Sequence, residues 1–327
     1  MILPKIINVE RKIGTWCSHL GFAIFLLCIT LGYSHIQQLT MALAEGQTEC
    51  RAHDGDGRIT YLDFNIRLNS FKITPENYVS EIDVLLGDER APLTRQISVN
   101  HPLKVDDWQI YQYDYAKLQD DAPPVTVLML VRDPWLTYLY IGIFLLLGGA
   151  VLSLAQPRKL LYVGIVGLTI IILKYTYFDH VTTPALRSSW FAPHVGMYMG
   201  CYLAMTLAVL LAVYQLVIKR KIVPSAMWRM DFLVALGLPL MTIGMLFGAL
   251  WAKQSWGVCW SWDPKESFAL ATWLLFLIYS HLRRYKPTHP ALAITVLVVA
   301  FLTLQMCWWG INYLPSLQAS SLHVYDI

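Results

Sequence analysis

An imidazole inside a long apolar run is costly and therefore a candidate for chemistry. Nine histidines are present. His19 lies about six residues into the first apolar run, roughly 9 Å from its start at ~1.5 Å per residue, and His281 ends another run just before Arg283 and Arg284. Two imidazoles at a similar depth on different helices can ligate one metal between them, and bis-histidine ligation of heme is a common use of such a pair. Taken singly, each is equally readable as a hydrogen-bonded polar side chain. On the opposite side, His194 opens a run in "SSWFAPHVGMY" and His323 stands in "LHVYDI", so a second pair is available, with His180 as the competing ligand. His35, His53 and His101 belong to the segment between the first two runs, and His289 faces none of the others.

The stretch "WAKQSWGVCWSWDPKE", residues 251 to 266, holds Trp251, Trp256, Trp260 and Trp262 between two apolar runs. Indoles anchor helices at the membrane interface, which accounts for one or two of them. A flat apolar ring held between histidines would use the rest, because it needs flat aromatic partners and exclusion of water. Heme also carries two carboxylates. Arg187, Lys253 and Lys265 lie on the same outer side, against the usual bias of basic residues, and suit an anionic ligand as well as they suit lipid headgroups. Asp263-Pro264-Lys265-Glu266 has the spacing of a capping box, with a glutamate three residues after the cap.

The elements that must position these residues follow from composition. The chain is 56% hydrophobic and 14% charged, against about 25% charged in a soluble domain. About seven stretches, near 13–33, 135–154, 160–178, 195–217, 231–250, 266–282 and 291–309, are long enough to cross a hydrocarbon core of ~30 Å. Lys5, Arg11, Lys12, Arg158, Lys159, Lys219, Arg220, Lys221, Arg229, Arg283, Arg284 and Lys286 fall on one face if these spans alternate, which places the N-terminus in the cytoplasm and the C-terminus outside. The net charge of +3 reflects that bias, and no nucleic-acid motif is visible.

Residues 34 to 134 break the pattern. "RITYLDFNIRLNSF" alternates Leu62, Phe64, Ile66 and Leu68 with polar residues, which predicts a strand. "YVSEIDVLL", "RQISVN", "WQIYQYDY" and "VTVLMLV" predict further strands of a small antiparallel domain outside the membrane. "DGDG" at 54–57 reads as a turn, since a calcium loop would need its remaining ligands. Asp133-Pro134 is expected to open the second span. The six cysteines form no C-x-x-C pair, which excludes a thioredoxin-like site and a zinc ribbon; a disulfide between Cys50 and Cys259 stays open. The expected fold is an integral membrane helical bundle of about seven transmembrane helices with a small extracytoplasmic β domain. It divides into a first helix (1–34), the β domain (35–134), a second helix (135–159) and a bundle (160–327) carrying the tryptophan loop.

"ALRSSWFAPHVGMY", the run from "LPLMTIGMLFGALW" through "WSWDPKESFALATW", and "GINYLPSLQASSLHVY" resemble the system II cytochrome c biogenesis proteins, whose heme-handling subunit (CcsA or ResC type) carries a tryptophan-rich WWD loop. "SHLGFAI", "VSEIDVLL", "VNHPLKVDDWQIYQYDY" and "VRDPW" are similar to the partner subunit (CcsB or ResB type), so the chain looks like a compact fusion of the two. The resemblance implies that His194 and His323 ligate an external heme b beside Trp251, Trp256, Trp260, Trp262 and Asp263. It also implies that His281 is a membrane histidine, with His19 as its partner. It further implies a holocytochrome c synthetase of the bacterial inner membrane that passes heme outward and joins its vinyl groups to the C-x-x-C-H thiols of apocytochrome c. A further ResB-like subunit and a thiol reductase are the implied helpers, with lipid around the bundle. The ResB-like part is short, and the tail reads "SLHVYDI" where the family more often has Ser-Tyr after the histidine. A b-type electron carrier of the membrane and a system I heme-handling protein are the competing readings.

Overall fold

The computed structural model describes residues 3–87, 91–117, 123–180 and 183–314. Among these, α1 (Leu3–Leu27) winds on through irregular turns to His35 and passes directly into an antiparallel sheet of β1 (Gln37–Leu43), β2 (Thr48–His53), β3 (Ile59–Ile73), β4 (Tyr78–Leu85), β5 (Leu93–Ser98), β6 (Leu103–Val105), β7 (Trp108–Ala116) and β8 (Val125–Arg132). The helices α2 (Leu136–Leu154), α3 (Pro157–Thr176), α4 (Phe191–Val213), α5 (Pro224–Trp256), α6 (Pro264–Tyr285) and α7 (Pro290–Trp308) follow. Four of them start on a proline, whose fixed φ suits the first turn and whose missing N–H would be unpaired there anyway.

The strand order is β5-β4-β3-β2-β1-β8-β7-β6. As expected, Leu62, Phe64, Ile66 and Leu68 of β3 point inward while the residues between them are exposed. The sheet curls until β4 faces β7, where Ser80 Oγ donates to Gln112 Oε1 at 2.6 Å and lies 3.1 Å from Thr126 Oγ1. Asp54 Oδ1 accepts the amides of Asp56 and Arg58, so the 54–57 stretch is a turn. Central strands β1 and β8 pair from Gln37 opposite Arg132, which delivers α1 and α2 into the bilayer side by side. Glycines let the two helices touch: a Cβ at Gly21 would stand 2.7 Å from Leu146 N, and one at Gly142 2.9 Å from Phe25 N.

Among the described residues, six helices, α1 to α5 and α7, are long and apolar enough to cross a membrane, so the protein is a multi-pass membrane helical protein with an antiparallel sheet domain. The expected seventh span, α6, falls short in apolarity, because Lys265, Glu266, His281, Arg283 and Arg284 dilute its ends. It nevertheless runs antiparallel along α5. Trp273 Nε1 donates to Thr242 Oγ1 at 2.9 Å, and the Tyr279 hydroxyl and Arg283 Nε both donate to Asp231 at 2.8 Å. A second correction concerns α2, which begins at Leu136. Asp133 accepts the Trp135 amide at 2.9 Å in a preceding turn, so its cap acts one step earlier than expected.

Inside α5, Pro239 has no N–H to offer the Ala235 carbonyl. Lys159 of α3, buried at 4% exposure, reaches across to donate to that oxygen at 2.8 Å and to Ser153 O at 2.9 Å. A buried cation is tolerable here because two carbonyl dipoles meet it.

Candidate functional site

The ends of α3 to α7 nearest the sheet domain enclose a cavity of about 740 Å³, within the ~300–1,000 Å³ range of ligand sites. His180, His194, Trp251, Trp260, Lys265 and Trp308 are on its wall, with Cys259 and Cys307. His194 is placed by glycines on the facing helix. A Cβ at Gly248 would lie 2.7 Å from its ring, and one at Gly244 2.8 Å from Tyr198. Its Nδ1 lies 2.8 Å from the Gly244 carbonyl oxygen. A carbonyl only accepts, so Nδ1 carries the proton and Nε2 the lone pair, the arrangement in which an imidazole ligates a metal.

Two of the expected aromatic partners face this space and two do not. Trp251, 1% exposed, is held by its N–H on the Ala185 carbonyl at 2.9 Å. Trp260, 4% exposed, has a buried Nε1 with no hydrogen-bond partner among the described residues. A buried N–H left in that state costs free energy until an acceptor arrives, so the wall fits a planar ligand with oxygen or nitrogen acceptors. Trp256 stands behind Trp251, ring centroids 4.9 Å apart, in a cluster with Tyr111 and Val131 of the sheet domain. Trp262 adopts φ of 58° and donates to Ile29 O, in the turn that continues α1, at 2.9 Å, away from the cavity. Trp308, inside the last apolar run, was not distinguishable in sequence from a membrane anchor.

Asp263 and Glu266 form the expected capping box. Asp263 accepts the Lys265 amide at 2.7 Å, while Glu266 Oε2 accepts the amides of Ser261 at 2.8 Å and Asp263 at 3.2 Å. The loop is thereby fixed onto α6. Its other end is fixed by Gly257, whose φ of 90° ends α5 and whose missing Cβ leaves room for Val131.

Of Arg187, Lys253 and Lys265, Lys265 alone is on the cavity wall among the described residues. Lys253 is buried, donates to Gly257 O at 2.7 Å and sits 5.8 Å over the Tyr111 ring. Arg187 lies 3.9 Å from Glu76 of the sheet domain. Burial pushes the Asp133 carboxyl up, with the Lys253 charge opposing, and pushes the Cys259 thiol up to about 12. Cys50 and Cys259 are both free thiols, so the disulfide left open is not formed.

Toward the opposite end of the bundle, the His19 and His281 rings have centroids 6.1 Å apart. Each Nδ1 is tied to a carbonyl one turn back, Thr15 O and Leu277 O, at 2.8 Å, which again leaves the lone pair on Nε2. His323 lies outside the described residues.

Comparison with known proteins bears on what this geometry serves. Residues 132–318 match the model of the cytochrome c assembly protein family, and residues 8–124 match the ResB-like family. The chain belongs to the cytochrome c assembly family. A protein named cytochrome c biogenesis protein CcsA from Chlamydomonas reinhardtii is 34% identical over 152 residues, 43% of this chain and 42% of its own. Proteins of the same name from Cyanophora paradoxa and Porphyra purpurea are 41% and 43% identical over 105 and 93 residues, 31% and 28% of this chain and 33% and 28% of theirs. The matched part thus spans less than half the length of these relatives. The described residues of the cavity lie within the assembly match, whereas His19 lies in the ResB-like match and His281 in the assembly match, so the histidine pair joins the two segments.

Proposed function

We propose that this protein handles heme for cytochrome c biogenesis: it takes heme b at the inner His19–His281 pair, seats it in the outer cavity and presents it to apocytochrome c. The observation that carries the reading is the cavity itself, where a histidine held in the ligating tautomer shares the wall with Trp260, whose N–H has no partner among the described residues, inside the assembly-family segment. His194 would supply one axial bond and His323 the other, with His180 the alternative second ligand because it shares the wall. Trp251 and Trp260 would flank the macrocycle, backed by Trp256 and, through the loop, by Trp262 and Asp263. Lys265 would meet a propionate.

The attachment adds a cysteine S–H across a heme vinyl C=C. One C–S and one C–H bond form, and no net electron is needed, which is why the acceptor thiols must arrive reduced and a thiol reductase is the expected helper. A further ResB-like subunit would complement the short segment at 8–124. We place the protein in a bacterial inner membrane, N-terminus inside and C-terminus outside, with the division 1–34, 35–134, 135–159 and 160–327. The ResB-like segment and the relatives' names favour this over a b-type electron carrier or a system I protein.

Full-length protein purified from heme-replete cells should show a Soret band and pass its heme to an apocytochrome peptide containing C-x-x-C-H. A heme-free preparation sinks the reading; a heme that exchanges electrons but never joins the peptide favours the electron carrier.

A further inference from the structure

Three ring pairs line the face between α1 and the α6 side of the bundle. From the inner end they are His19 with His281 at 6.1 Å, Phe22 with Trp273 at 5.3 Å, and Phe25 with Trp260 at 5.8 Å. Trp262 closes the outer end with its bond to Ile29 O. Residues 19, 22, 25 and 29 recur at helical spacing and form one stripe of α1.

Exposure falls along this stripe: both histidines are exposed, Phe22 is half-buried, and Phe25 and Trp260 are buried. The two sides of α1 differ in kind. Its backbone is seated against α2 through glycines, whereas ring side chains bridge it to α6. A glycine contact leaves nothing to rearrange, but side chains can change rotamer without moving a backbone.

Trp260 stands where this seam meets the cavity, because its ring lines both the cavity and the crevice beside Cys28 and Ile29 of α1. Of the four indoles near the junction, Trp251, Trp262 and Trp273 are each tethered by an N–H bond, to Ala185 O, Ile29 O and Thr242 Oγ1. The Trp260 N–H has no such bond among the described residues. Its orientation is therefore set by packing alone.

We propose that the aromatic seam between α1 and α6 is the path from the inner histidine pair to the outer cavity, and that the Trp260 indole is its gate. The proposal rests on the heme-handling reading above. A planar apolar ligand entering from the bilayer meets aromatic faces along this path, and the untethered Trp260 indole, beside Cys259, stands between it and the cavity.

The test uses the full chain in membranes from heme-depleted cells, with Phe22→Cys and Trp273→Cys joined by a short bifunctional thiol reagent that a reductant cleaves. The other cysteines are replaced by alanine. Heme is then supplied, and outer heme is scored as the part of the spectrum that His194→Gly removes. The locked protein should hold heme at the inner pair alone, and cleavage should restore outer filling. If the locked protein fills its outer cavity as fast as the cleaved one, the seam is not the path, while the functional reading stands. If neither site of the parent chain takes heme, the functional reading falls and the seam with it. Should the double variant not reach the membrane, a single variant decides: Trp260→Ala should fill the outer cavity several-fold faster than the parent. An unchanged rate in Trp260→Ala overturns the gate.

Discussion

The Nδ1 atom of His194 lies 2.8 Å from the carbonyl oxygen of Gly244, one turn before the glycine that makes room for the ring. A backbone acceptor on α5 thus fixes the tautomer of a side chain on α4. His194→Gly should lower cytochrome c maturation, and added imidazole should restore part of it by refilling the vacated position. A merely interfacial histidine gives no rescue. If His180→Gly alone responds to imidazole, the outer ligand is His180.

Gly257 is where the sheet domain grips the tryptophan loop. It ends α5 at φ 90°, and a Cβ there would lie 2.5 Å from Val131 Cγ2 and 3.1 Å from Tyr111 Cε2. Gly257→Ala should destabilise the folded protein by roughly 2–4 kcal/mol, combining left-handed strain with overpacking. The measurement is the thermal midpoint in detergent. Gly46→Ala is the control: its φ of 81° carries similar strain, but no atom lies within 4 Å of the added carbon.

What could be read in advance divides along physical lines. β3 was legible because one face is buried, so Leu62, Phe64, Ile66 and Leu68 had to alternate. The capping box at Asp263 and Glu266 was legible because it is local chemistry four residues long. β1 and β2 were not: "QQLTMAL" follows a membrane helix directly, and "TECRAH" is too polar to announce a strand. Depth along a helix brought His19 and His281 together correctly, since rise per residue is fixed. Which way an indole points is not fixed by sequence. Trp256 and Trp262 therefore shared a motif with Trp260 while facing the sheet domain and α1, and Trp308 joined the cavity from a plain apolar run.

Cys259 is on the cavity wall with its thiol pushed up to about 12 by burial, from an ordinary value of about 8.5. A raised acid favours folding in its protonated form, so this contribution is complete below the ordinary value and is lost progressively from there as pH rises to about 12. At pH 8 the thiolate fraction is small, and Cys259 should resist alkylation while half-buried Cys50 reacts. Mass spectrometry of the alkylated peptides reads the ratio. Rapid labelling of Cys259 at pH 8 contradicts the buried thiol.

Lys159 and Pro239 should be coupled. Lys159→Met leaves the Ala235 carbonyl without its donor and should cost about 1–3 kcal/mol. In a Pro239→Ala background the new residue supplies the missing helical N–H, so the same Lys159 change should cost less. Thermal midpoints of the four proteins give the interaction energy, and strictly additive costs rule the coupling out.

Lys265 separates recognition of a propionate from a general attraction to lipid. It follows the helix-capping Asp263, and its side chain borders the cavity that His194 and Trp260 share. A charge-assisted bond to a carboxylate in such a partly enclosed site is worth about 1.5–3 kcal/mol, or roughly 10- to 100-fold in affinity. Lys265→Ala should weaken heme binding to the full-length protein by about that factor, whereas the iron porphyrin dimethyl ester, which has no carboxylate to pair, should bind the parent and the variant alike. Lys253→Ala makes the comparison sharper. Its amine is committed to Gly257 O, so this change should lower the thermal midpoint without distinguishing heme from its ester. Equal losses for heme and ester in Lys265→Ala would show that Lys265 shapes the wall rather than neutralising the ligand, and the propionate would then have to be met elsewhere.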